Sequence, residues 1–502
     1  MKLTCLWSSG LRRYRDEPEA TQEQNGVETP RQPELLITEQ EAQPALTPEQ
    51  DSAETPIERQ AVDSVNHSSS TEPARAPQQQ AGMTRGKAIV LMMVLFILLW
   101  QSINNGMAQF IGPQGWAYVL GGPVASSASN PLTDAGLQPG RTSARGLAGQ
   151  SAHITPQEYI DRIIQSMTLD QKLGQMMIVQ FLGASYSLPI STMISQYNVG
   201  AVLLYTTNGN IVSKAQLKGL IQQMKHNSAI PLVVAVDQEG GVVDRLAKLD
   251  GPRPSEAQIG ATNNPARARA AGIQDAQDLA SYGFNLNLAP VVDVDRVYNP
   301  QLYTRTYSDN PAIVTSMAAA YLRGLQQSGK VIGALKHFPG LGDVSIDPHV
   351  GVPDLKASRS DLEQIDWAPY RTLIRQGLVH AVLVTHELVA AVDPAQPSTL
   401  SSKLVTGILR NELGFQGVII TDSLTMEGIT AYYPEDQAAA LAVEAGCDLL
   451  MGASSPEDVG AMISGIKQAM SEGKISQQRI DASVRRILMM KYAMGLLPIP
   501  EQ

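Results

Sequence analysis

The chain has 502 residues, long enough for one large domain with additions or for several smaller ones. Hydrophobic residues make up 43% and charged residues 17%, a balance that places most of the chain among globular rather than disordered proteins. The net charge of -10, with no basic block beyond two residues ahead of an apolar run, argues against a nucleic-acid partner. Two cysteines, Cys5 and Cys447, lie far apart in segments of different composition, which argues against a structural disulfide, and no Cys/His cluster has zinc-ligand spacing.

Residues 1–84 are rich in Glu, Gln, Pro, Ser and Thr, without helical or strand periodicity. Such a composition buries too little surface to offset chain entropy, so this acidic, polar tail is expected to be disordered. Within the segment 85–108, Ala88 to Trp100 is an unbroken apolar run preceded by Arg85 and Lys87, and the next basic residue is Arg141. The run is shorter than the ~20 residues of a usual bilayer crossing, but its weakly polar flank through Phe110 completes one. The charge asymmetry then puts the N-terminus inside and the rest outside as a single-pass anchor, with residues 88–108 in the membrane. A start at Met83 turns the same segment into a signal peptide cleaved near Ala108, which would leave the protein secreted. Both readings place the bulk of the chain outside the cytoplasm. Residues 109–152, dominated by Gly, Ser, Pro and Ala, form a flexible linker.

From residue 153 to about 500 the pattern changes. Eight short apolar runs appear: MMIVQF from Met176, VGAVLLY from Val199, LVVAVD from Leu232, FNLNLAP from Phe284, IGALKHF from Ile332, AVLVTHE from Ala381, GVIITDS from Gly417 and CDLLMGA from Cys447. Amphipathic stretches such as SKAQLKGLIQQMKH and PARARAAGIQDAQDLASYG separate them. Continuous rather than alternating runs fit parallel strands buried on both faces, joined by right-handed helical crossovers. Eight units predict an α/β fold of the (β/α)8 TIM-type barrel as the single catalytic domain. An open doubly wound sheet is the alternative, but no G-x-G-x-x-G follows the first strand. In a barrel, catalytic groups collect at the C-terminal ends of strands. Here the third run ends in Asp237, the fourth leads through VVDVDR towards YTRTYSDNP, the fifth ends in Lys336 and His337, the sixth in His386 and the seventh in Asp422.

Three motifs, DQEGG followed by Arg245, KHFPGLGDVSIDPHVGVP from Lys336 and IITDSLTMEGI, occur in this order. With MTLDQKLGQM and RRILMMKYAMGLL at the edges, the region resembles the family 3 glycoside hydrolases, in particular their β-N-acetylglucosaminidase (β-N-acetylhexosaminidase) branch. Cleaving a glycosidic bond with retention needs a nucleophile below the anomeric carbon and a proton donor beside the leaving oxygen. Asp422 is the expected nucleophile; the competing reading is a helix cap, a part Ser423 can also play. The resemblance implies an unusual proton donor, His349 on a mobile loop, oriented by Asp347; the competing reading is a solvated loop histidine. Imidazole titrates near neutrality, so it can both give and take a proton. Gly340 and Gly342 are expected to let this loop turn and move. The same resemblance assigns Lys336 and His337 to sugar hydroxyls, and Asp237, Arg245 and Arg305 to the subsite of the terminal residue. Ion pairing around the barrel mouth is the competing reading for these last three, and it stays open for Arg245.

Three departures from the family pattern stand out: Leu341 where a histidine is common, Val242 where an arginine is common, and Pro348 between Asp347 and His349 where a serine is common. They bear on loop motion and substrate range. The family's β-glucosidases usually draw their acid from a further C-terminal domain, whereas this sequence closes at Gln502, soon after the eighth run. A phosphorylase using phosphate in place of water, and an inactive cell-wall-binding protein on a membrane stalk, compete with the hydrolase. The expected function is exo-acting removal of terminal β-linked N-acetylglucosamine from peptidoglycan fragments or chitooligosaccharides, by a monomer, with no metal or organic cofactor implied.

Overall fold

The computed structural model describes residues 154–345 and 351–497, together with Leu132. The tail, the apolar segment, the rest of the linker, and both Asp347 and His349 lie outside the described residues. Eight parallel strands close into a barrel: β1 Met177–Val179, β2 Ala201–Leu203, β3 Val233–Val236, β4 Leu286–Asn287, β5 Ile332–Phe338, β6 Ala381–Val384, β7 Val418–Ser423 and β8 Leu449–Met451. Each pairs with its sequence neighbours, and β8 returns to β1 in the register Met177 to Leu450, which closes the ring. Every strand lies inside one of the eight apolar runs. The cause is burial on both faces: residues of β1 to β3 are all inaccessible, so neither face selects polar side chains.

The surrounding helices start where the sequence supplies a cap. Thr155 accepts the Glu158 N–H while the Glu158 carboxylate accepts the Thr155 N–H, a reciprocal box that begins Pro156–Ser166. Ser455 and Asp458 make the same exchange ahead of Pro456–Ser471. The last helix, Gln477–Ala493, packs against both the first and the following Leu169–Gln175, where the buried Lys491 Nζ donates to Gln175 Oε1 at 2.6 Å. At the floor of the barrel Asp448, fully buried, accepts from Ile419 N, Ser483 Oγ and Arg486 Nη1 at 2.6–3.0 Å and also pairs with Arg410. One carboxylate thus ties β7, β8 and two helical segments together.

Two small sheets at the catalytic end have no counterpart in the sequence reading. Gln238–Gly240 and Val243–Asp244 form an antiparallel hairpin beyond β3, turning through Gly240 and Gly241 at positive φ. Asp354–Leu355 and Leu388–Val389 pair in parallel, joining the segments that follow β5 and β6. Among the described residues no helix is long and apolar enough to cross a membrane.

Candidate active site

The C-terminal ends of the strands surround a cavity of about 260 Å³. Asp237, Glu239, Arg245, Arg305, Lys336, His337 and Asp422 all reach its wall, so seven strongly polar side chains from separate parts of the sequence meet in one place.

An ion network forms its base. Lys336, only 3% exposed, donates Nζ to Asp237 Oδ1 at 2.7 Å and to Glu239 Oε1 at 2.6 Å. Arg305 grips Glu239 from the other side, with Nε to Oε2 at 2.7 Å and Nη2 to Oε1 at 2.8 Å. Burial pushes the Glu239 carboxyl up, but Lys336 and Arg305 outweigh it and hold the group down at about 2. Burial likewise opposes the Lys336 ammonium, and Asp237 and Glu239 override it, so Lys336 remains charged. Glu239 was not singled out by the sequence reading. Its signal was present: Asp237 and Glu239 stand two apart in an extended segment, and such residues project to the same side.

His337 is set by a second buried acid that the sequence reading left unassigned. Its Nδ1 lies 2.6 Å from Asp293 Oδ2, and Asp293 Oδ1 accepts the N–H groups of His337 and Leu341 at 3.2 and 2.9 Å. The other ring nitrogen, Nε2, faces Arg305 Nη2 at 3.4 Å. Asp293 thereby fixes both the ring and the start of the following loop. Gly342 in that loop is needed for fit: a Cβ there would stand 1.8 Å from the Val294 carbonyl oxygen. Gly340 has φ +139° with Asp366 packed against it. Both glycines therefore answer to close packing of the loop root, where the sequence reading looked only for turning and movement. Leu341 is buried against the cavity, while Val242 is 70% exposed at the hairpin turn.

Asp422 is the penultimate residue of β7, with its carboxylate accepting from Ser423 N–H to Oδ1 at 2.9 Å and from Thr385 Oγ1, just past the neighbouring β6, to Oδ2 at 3.2 Å. The next helix begins at Glu427 with Met426 before it, so Asp422 is not a helix cap. His386, the polar end of β6, does not line the cavity; it braces the segment behind Asp422, with Nδ1 2.8 Å from Thr399 Oγ1 and Nε2 2.9 Å from the Ser423 carbonyl. Tyr205 shares the cavity wall with Arg245, Asp237 and Asp422. Burial first, then the charges of Asp237 and Asp422, push its phenol well above the ordinary value, leaving it a hydrogen-bond donor. Arg245 stacks its guanidinium 5.7 Å from the Tyr205 ring centre. It makes no ion pair among the described residues, and its buried Nε has no protein partner there. Asp237 and Arg305 thus take part in salt bridges, whereas the ion pairing left open for Arg245 is not found among the described residues. No group of three His, Cys, Asp or Glu among the described residues is arranged to hold a metal ion.

The profile of the Glycosyl hydrolase family 3 N terminal domain matches residues 168–490. The chain belongs to glycosyl hydrolase family 3. It is 30% identical over 384 residues to Beta-hexosaminidase A of Pseudoalteromonas piscicida, a match covering 68% of this chain and 63% of that protein. It is also 30% identical to Beta-hexosaminidase LpqI of Mycobacterium tuberculosis, over 74% of this chain and 91% of that one. Among solved structures, a family 3 beta-N-acetylglucosaminidase from Paenibacillus sp. superposes with a TM-score of 0.63 at 34% identity, covering 66% of this chain and 63% of that chain. The chain thus spans less than two thirds of the Pseudoalteromonas and Paenibacillus proteins.

Proposed function

We propose that this family 3 member is an exo-acting, retaining β-N-acetylglucosaminidase that removes terminal β-linked N-acetylglucosamine from peptidoglycan fragments or chitooligosaccharides. The observation that carries the reading is the cavity itself. Its volume of about 260 Å³ falls below the ~300–1,000 Å³ typical of sites for drug-sized ligands, so it takes one sugar ring rather than a chain. The relatives named beta-hexosaminidase support the choice of amino sugar.

In this reading the ring hydroxyls lie against Asp237, Lys336, His337 and Arg305, whose side chains are positioned before substrate arrives, the first two and Arg305 through the Glu239 network and His337 through Asp293. Arg245 lines the same cavity and makes no ion pair among the described residues. Asp422, held by Ser423 N–H and Thr385 Oγ1, attacks the anomeric carbon and forms a glycosyl-enzyme. His349, assisted by Asp347, gives a proton to the leaving oxygen and later takes one from water. Both lie outside the described residues, and their roles rest on the motif. The protein works outside the cytoplasm as a monomer, either anchored through residues 88–108 or released near Ala108; N-terminal sequencing of the native protein separates these forms.

The test is turnover of an aryl N-acetyl-β-glucosaminide. Asp422→Ala should lower kcat by at least about 10⁴-fold, as expected when a covalent nucleophile is removed. A fully active Asp422→Ala enzyme would end the proposal. Products compared with and without phosphate distinguish hydrolysis, which releases free N-acetylglucosamine in both, from phosphorolysis, which releases the sugar 1-phosphate.

A further inference from the structure

Resting on the glycosidase reading, we infer a second sugar-binding surface outside the cavity. It is the exposed pair Tyr298 and Tyr303, and it takes rings of a β-linked amino-sugar chain beyond the one held inside. Tyr298 is 71% and Tyr303 53% exposed, and their rings meet with centres 5.8 Å apart and planes tilted by 42°. Single exposed aromatics are ordinary on a protein surface, whereas two in contact make an apolar patch that water does not favour.

The patch stands on a braced turn in the segment after β4. Between the tyrosines, the buried Asn299 accepts the Gln301 N–H on Oδ1 at 2.9 Å, and its carbonyl accepts the N–H groups of Leu302 and Tyr303 at 2.9 and 3.0 Å. Its Nδ2 donates to the Val344 carbonyl at 2.9 Å, which ties the turn to the segment after β5. The same turn lines the sugar cavity through Asn299, Gln301 and Leu302. Gln301 is exposed as well as cavity-lining, so it marks the rim, and the two tyrosines flank it in the chain. Around the barrel, β4 is three strands removed from β7, so this rim lies across the mouth from Asp422. In-line displacement sends the leaving oxygen away from the nucleophile, which is the side this turn occupies. A β-linked pyranose presents a face of C–H groups edged by hydroxyls, and a tyrosine ring with its phenol at the edge matches both.

The experiment uses the full chain and compares the parent with Tyr298→Ala/Tyr303→Ala and with Tyr298→Phe/Tyr303→Phe. Each is assayed for kcat/KM on reduced chitohexaose and on an alternating N-acetylglucosamine–N-acetylmuramic acid tetrasaccharide. Free N-acetylglucosamine, which fills only the cavity, is titrated as an inhibitor of aryl N-acetyl-β-glucosaminide turnover. The alanine pair should lose roughly three- to tenfold in kcat/KM on at least one of the two chains, through KM, with the inhibition constant of the monosaccharide unchanged. The chain showing the larger loss identifies the source of the glycan. The phenylalanine pair, which keeps both rings, should stay within about twofold of the parent. An alanine pair that matches the parent on both chains, or that also loses the monosaccharide, overturns the inference and leaves the glycosidase reading intact. So does a phenylalanine pair that falls with the alanine pair. A parent that turns over neither the aryl substrate nor either chain removes that reading and the inference together.

Discussion

Glu239 carries more of the site than any residue named from the motifs. Its carboxylate is the shared anchor of Lys336, which is buried with it, and of Arg305, which is half-buried. Removing one member of a buried ion network leaves uncompensated charge, at a cost of ~3–5 kcal/mol. Because its folded pKa is about 2, below the ordinary 4.5, its pairing stabilises the fold above pH 4.5 and is lost as pH falls towards 2. Asp366 has the opposite sign. Burial first, then Asp343, raise its carboxyl to about 8, so it is carried neutral, and the cost of burying it grows as pH rises from about 4 through 8. Melting temperatures measured from pH 3 to 9 should therefore separate two variants. Glu239→Gln should lie well below the parent at pH 7 and converge on it in acid, whereas Asp366→Asn should gain on the parent between pH 5 and pH 8. Parallel curves for all three proteins would contradict both assignments. At this scale the sequence was informative about identity but not about pairing. Asp237, Lys336, His337, Arg305 and Asp422 sit in recognisable motifs, but each has a side-chain partner 37 to 99 positions away in the chain. Nothing local in DQEGG says that its glutamate, rather than its aspartate, is the clamp for Arg305.

Among the elements, the eight barrel strands were legible because a strand buried on both faces leaves a continuous apolar run. Their limits were less so: FNLNLAP contributes only Leu286–Asn287 to the ladder, and beyond it pairing with β5 resumes as a single bridge between Val291 and Lys336. The hairpin beyond β3 and the Asp354–Leu355 pair escaped notice since each strand is two or three residues long and the second finds its partner in another loop. Asp448 was hidden for a different reason: an acid at the start of an apolar run looks like a surface residue, and only the closed ring brings arginines from two helical segments onto it. Asp448→Ala should destabilise the domain by ~3–5 kcal/mol, read as a lower denaturant midpoint. Surviving folded protein should keep its KM, because the cluster lies at the opposite end of the barrel from the sugar cavity.

For the whole molecule, the proposed exo action rests on the small volume of the cavity at the strand ends, about 260 Å³. A cavity sized for one ring admits a chain terminus and excludes internal units, so reduced chitohexaose should shorten one residue at a time from its non-reducing end, with N-acetylglucosamine as the sole early product by chromatography. Early appearance of dimers or trimers would show internal cleavage and contradict the one-ring cavity. Fold and family were readable because several motifs in fixed order constrain topology and chemistry together. The capacity of the cavity was not, since it depends on how far side chains from separate strand ends converge. The clasp between the Pro156–Ser166 and Gln477–Ala493 helices has its own consequence. Entry and exit of the domain are neighbours in space, so its connectivity behaves as a loop in all but one covalent bond. Rejoining those helices and cutting elsewhere, at an exposed turn remote from the mouth, would rewire the order of translation while preserving the three-dimensional object.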